Sequence, residues 1–148
     1  MTASPEQLHS AFSYCVDFAK HMLEDSGSFL PFGAALSTSG DVKAVAGWNG
    51  EEHPAPAEIY QLLSSALRDE ATNKTIAGSA VAVDVNIPAA YDPPLPDGIR
   101  VRLEGDGYSR YIYVPYVIKM SGLLRRKREV KLAEPFSVEV PAEVFAVR

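Results

Sequence analysis

A long alternation lies between Ile76 and Ile87, where Val81, Val83, Val85 and Ile87 fall on one side and Ala80, Ala82, Asp84 and Asn86 on the other. A period of two is that of an extended backbone, whose successive side chains point to opposite faces, so this segment is predicted as a strand. The same rule predicts two more. Ile99, Val101 and Leu103 point inward against Arg100 and Arg102. From Tyr108 to about Lys119, Ile112, Val114, Tyr116 and Ile118 point inward against Tyr111 and Tyr113. The "EGDG" between the two runs supplies the tight turn of a hairpin.

Helical periodicity appears twice. Leu8, Phe12, Cys15, Ala19 and Met22 make an apolar stripe from Pro5 to about Asp25. Ser4 is placed to cap it, Pro5 suits its first turn, and Gly27 is placed to end it in the left-handed conformation. Ile59, Leu62, Leu63, Ala66 and Leu67 mark a second helix, begun at Pro56 and ended near Asn73. Between them "SFLPFGAALSTSGDVKAVAGW" reads as a hairpin turned by "STSGD". Pro31 donates no ladder hydrogen bond, so its strand lies at an edge or starts after it. Gly33 leaves room for close packing over that strand.

The proline-rich "PAAYDPPLPDG" is a stiff excursion between strands. After "MSG", Val130 and Leu132 share a face with Arg126 and Arg128, giving a last strand for which a short helix is the rival reading. The expected fold is α+β, in the order α-β-β-α-β-β-β with a possible last short strand: a mainly antiparallel sheet of five or six strands packed with two helices. A length of 148 residues, 47% hydrophobic and 22% charged, suits a single domain over residues 1–148.

No apolar run approaches the ~20 residues that cross a bilayer, and the N-terminus lacks a signal-peptide pattern, so a cytoplasmic protein with no membrane association is expected. Cys15 belongs to the apolar stripe of the first helix, which argues for a buried structural thiol rather than a nucleophile.

The element order resembles that of profilin-like and roadblock-type domains, although likeness of fold carries no function with it. The segments "FLPFGAAL", "GW", "EEHP" and "VPY", in that order, resemble small bacterial α+β proteins that share an F-x-P-F-G-A segment and a later P-Y strand end. The resemblance spans Phe29 to Tyr116 and implies no particular activity.

Candidate chemistry is sparse. The three histidines, His9, His21 and His53, show no metal-protease spacing, and one cysteine cannot complete a zinc set, so neither metal nor cofactor is expected. There is no G-x-S-x-G elbow and no glycine-rich loop opening a helix. His53 with Glu51, Glu52 and Glu58 would make an acid-base cluster only if their loop folded over a pocket.

Charge is distributed unevenly. Lys119 to Lys131 holds six cations and one acid, about +5, in a chain of net charge -5, so the remainder carries about -10. A nucleic-acid partner is not expected, because that function calls for a basic domain overall. Arg125, Arg126, Lys127 and Arg128 therefore either meet an acidic protein partner or guard a strand edge against unwanted pairing. Arg100 and Arg102 are expected to face the same way as Tyr111 and Tyr113, forming either a cross-strand ladder or a recognition patch, since Arg and Tyr dominate binding hot spots.

Three functional expectations follow. The first is a non-enzymatic module that binds another protein or itself through Arg100, Arg102, Tyr111 and Tyr113 together with the basic run. The second is a small-molecule or anion sensor with a pocket at Phe32, Gly33 and Trp48. The third is a hydrolase-like enzyme using His53 and its acidic neighbours.

Overall fold

The structure, a computed structural model, describes residues 2–48 and 50–146. Helix α1 (Pro5–Ser26) is followed by strands β1 (Phe32–Ser37) and β2 (Val42–Val45), then helix α2 (Pro56–Thr72). Strands β3 (Ile76–Asn86), β4 (Asp97–Gly105), β5 (Tyr108–Ser121), β6 (Lys127–Leu132) and β7 (Phe136–Glu139) complete the chain. All pairings are antiparallel, in the order β2-β1-β3-β4-β5-β6, with β7 pairing β5 as well. The α+β class, the two helices and the antiparallel sheet agree with the sequence pattern. The last predicted strand forms as β6, and β7 is an addition.

Long β5 makes room for that addition. Its second half, Tyr116 to Ser121, pairs with β6, and its first half, Arg110 to Tyr113, pairs with β7, so two short strands share one edge.

The alternation in β3 and β4 decides which side chains meet which helix. Ala80, Ala82, Ile99, Val101, Leu103, Val114 and Tyr116 face α1 and form the larger core with Leu8, Ala11, Cys15, Ala19 and Leu23. The small Ala80 and Ala82 let the helix sit close. On the opposite face Ala35 and Val81 pack against Ile59, Leu63 and Leu67 of α2. Cys15 is fully buried, and burial pushes its thiol up to about 12, so it stays protonated and inert as the stripe implied.

The ends of α1 are closed as the sequence suggested, with one addition from far along the chain. The Ser4 hydroxyl accepts from the Gln7 N–H at 3.2 Å, and the Gln7 side chain accepts from the Ser4 N–H at 2.9 Å, a reciprocal cap. At the other end Gly27, at φ 83°, turns its N–H back to the Leu23 carbonyl. No basic residue occupies the last turn; instead Arg128 of β6 donates to the Asp25 carbonyl at 3.1 Å, placing a cation at the negative end of the helix.

Candidate functional site

Arg100, Arg102, Tyr111 and Tyr113 share one face, as the alternation implied, and the register sets Arg100 opposite Tyr113 and Arg102 opposite Tyr111. The Arg100 guanidinium sits 4.3 Å from the Tyr111 ring centre and that of Arg102 at 5.1 Å, so the stacked ladder forms. The expectation that this face is open to solvent is corrected. Arg102 and Tyr113 are only 7% and 3% exposed, and Arg100 and Tyr111 are half-buried.

Three elements cover the face. Helix α2 brings Tyr60, whose ring lies 5.7 Å from the Arg100 guanidinium. The proline-rich excursion brings Tyr91 to 5.6 Å from Tyr113, on which Phe136 of β7 also stacks at 5.2 Å. The third element, residues 141–146, crosses the face as a strap held by Glu104.

Glu104 is fully buried, and one of its carboxylate oxygens accepts the backbone N–H groups of Glu143, Val144 and Phe145 at 2.9, 3.0 and 3.1 Å. Its other oxygen pairs with Arg102 Nε at 2.7 Å. Arg102 reaches on to the Glu143 carboxylate at 3.2 Å and to the Pro141 carbonyl. The other Glu143 contacts are to the Tyr60 hydroxyl, which donates at 2.9 Å, and to Arg68, which donates to the Glu143 carbonyl at 2.8 Å. Burial and the Glu143 carboxylate push the Tyr60 phenol up to about 12, which keeps it a donor. Arg102, expected at a binding surface, thus belongs to a closed polar layer that ties the strap down, and Tyr113 lies enclosed beside Tyr91 and Phe136.

The basic run has the opposite fate. Arg125 and Arg126 lie in the β5–β6 turn, and Lys127 and Arg128 open β6; all four are exposed. They are joined by residues the charge pattern did not single out: Leu123 and Leu124 are fully exposed at the same turn, and Met120 is 48% exposed just before it. Gly122 sets the bend at φ 95°, a conformation other residues seldom adopt. The β6 strand ends the main sheet path, so its outer side also presents an edge.

The residues proposed for a pocket separate. Gly33 is buried with the Ala80 carbonyl 2.9 Å from where a Cβ would stand, and Trp48 is 74% exposed, its indole N–H donating to the Glu51 carbonyl at 3.0 Å. Phe32 borders a cavity of about 540 Å³ between the end of α1 and the start of β1, which neither Gly33 nor Trp48 lines. The carboxylate of Asp84 enters that cavity wall. It accepts the Tyr116 hydroxyl at 2.6 Å, while burial foremost, and then the neighbouring Asp97, raise its pKa above the usual carboxylate value. Pieces of the "FLPF" and "VPY" segments, far apart in the sequence, therefore meet at Asp84.

His53 is exposed in the loop before α2 and lines none of these cavities. Among the described residues, no group of three or more His, Cys, Asp or Glu side chains is arranged to hold a metal ion, and no helix is long and apolar enough to cross a membrane. Comparison of the chain with protein-family models, with curated proteins and with solved structures gave no match.

Proposed function

We propose that the chain is a protein-interaction module that docks on an acidic partner surface through the tip of the β5–β6 hairpin. The observation that carries this reading is the full exposure of Leu123 and Leu124 beside Arg125, Arg126 and Lys127. A tip held clear of the core exposes two large apolar side chains at a standing cost. Burying each against a partner recovers about 1.5 to 3 kcal/mol. The cations contribute differently: exposed charges add little to final affinity, but they orient the encounter and exclude basic partners. The partner surface that fits is an apolar cleft rimmed by Asp and Glu. The Arg–Tyr layer and the Glu104 strap serve as the rigid base from which the hairpin projects.

Affinity capture from native lysate checks this. Wild-type chain, a Leu123→Ser/Leu124→Ser variant and an Arg125→Glu/Arg126→Glu variant are compared, with sedimentation on anionic vesicles in parallel. The expected result is one protein recovered by the wild type, weakened on the order of 30-fold or more by the leucine changes, as for a binding hot spot. The charge reversal should slow its association, most at low salt. Equal recovery by all three chains, or leucine-dependent binding to vesicles alone, would sink the reading.

A further inference from the structure

The cavity at Asp84 stands apart from the hairpin tip and has a chemistry of its own. Phe18, Phe29, Leu30, Phe32 and Val83 supply an apolar wall, and among the described residues Asp84 is the one charged side chain lining it. Phe32 makes edge-to-face contacts with two other rings, Phe18 at 4.9 Å and Phe29 at 5.6 Å, so three phenyl rings form a corner. Phe18 and Leu30, 40% and 46% exposed, mark its open rim.

Asp84 is unusual for the face it occupies. Register with Ile99, and through it Val114, puts it in line with the apolar residues under α1. It lies where β1 has not yet begun, since the first β1–β3 pair is Phe32 with Ala82. The Tyr116 hydroxyl donates to the carboxylate, and the nearby Phe29 backbone favours its charged form. A carboxylate has about four acceptor sites, so capacity remains toward the cavity. Among the described residues, the charged group that acts on it is Asp97, of the same sign, whose carboxylate accepts from the Asn86 side chain at 2.8 Å. A half-buried anion with an anionic neighbour and no cation in contact among the described residues is a local deficit that a bound cation would correct.

We propose that this cavity binds a small organic ammonium ion, its N–H groups donating to Asp84 and its hydrocarbon body lying in the corner of Phe18, Phe29 and Phe32. Each part of the wall has a role in that complex. The aromatic faces attract a cation as well as excluding water from it. Tyr116 holds the carboxylate in place from the sheet side, acting as a positioning residue. A volume of about 540 Å³ accommodates a ligand of modest size. An N–H-bearing head is favoured over a quaternary one, because only the former satisfies the free carboxylate sites. An organic anion is excluded by Asp84 and Asp97 together.

The test uses three probes of one shape on the full chain: 2-phenylethylammonium, 2-phenylethanol and 3-phenylpropionate, followed by NMR titration. The ammonium probe is expected to saturate and shift resonances of Phe29, Phe32 and Val83. It should bind at least about tenfold more tightly than the alcohol, with the carboxylate probe weakest. Asp84→Asn keeps an oxygen to accept from Tyr116, and it should abolish the preference for ammonium while leaving alcohol binding within about twofold. Phe18→Ala, at the exposed rim, should weaken both by severalfold. The proposal is overturned if ammonium and alcohol bind alike in the wild type, if Asp84→Asn leaves their ratio unchanged, or if the shifts gather elsewhere. Absence of saturation by about 10 mM overturns it as well.

Discussion

Replacing Glu104 with Ala is expected to cost about 3 to 5 kcal/mol of stability, the range for removing one partner of a buried ion pair. The side chain is fully enclosed and holds three strap N–H groups as well as Arg102. Its loss leaves Arg102 buried, with the part-exposed Glu143 carboxylate as its remaining counter-charge among the described residues. The three strap amides lose their acceptor at the same time, and residues 141–146 are released from the sheet. Single domains are stable by only about 5 to 15 kcal/mol, so the variant would sit near the edge of folding. Glu104→Gln should be milder, because its amide oxygen still accepts from the strap while its NH2 group opposes Arg102. Urea unfolding of both variants measures the difference. A loss under about 1 kcal/mol for Glu104→Ala would mean that the strap contributes nothing to closing this face.

Leu23→Ala is expected to cost about 2 to 5 kcal/mol through the cavity it leaves. Leu23 is fully buried in the last turns of α1, in the core shared with Phe29 and Val130. That turn is held at one point by Arg128 from β6 and at another by the Gly27 cap, so it has little freedom to collapse into the void. Phe18→Ala, five residues earlier on the same helix but at its exposed surface, should cost much less despite removing a larger side chain. The two variants compared by thermal unfolding separate burial from size. Equal losses would contradict the packing assigned to α1.

The parts of the fold carried by local periodicity were legible in the sequence. The stripe of α1, the stripe of α2 and the alternation of β3, β4 and β5 each repeat several times within one segment. So was the shared face of Arg100, Arg102, Tyr111 and Tyr113, because a tight turn at "EGDG" joins two alternating runs. What covers that face was not legible. Tyr60, Tyr91 and Glu143 come from three distant segments, and no local pattern announces that they converge. Glu104 continues the outward alternation of Arg100 and Arg102, which in hindsight is its one signal, since an acid two residues from Arg102 on the same face is a ready partner. Strand β7 was missed although Phe136, Val138 and Val140 alternate, because it is short, flanked by Pro135 and Pro141, and dependent on the half of β5 that β6 leaves free. In the basic run, charge singles out Arg125–Arg128, whereas Leu123 and Leu124 carry no periodic signal of their own. Only coordinates place them outside. Asp84 was hidden similarly, as one more polar position in an alternating strand.

Amide hydrogen exchange, compared between the free chain and the complex captured from lysate, tests the hairpin assignment most directly. Protection gained over residues 121–127, with the strands carrying Arg102 and Tyr113 unchanged, is the predicted footprint. Protection confined to α2, to the free edge of β2 or to the cavity at Asp84, with the tip exchanging as fast as before, would contradict it.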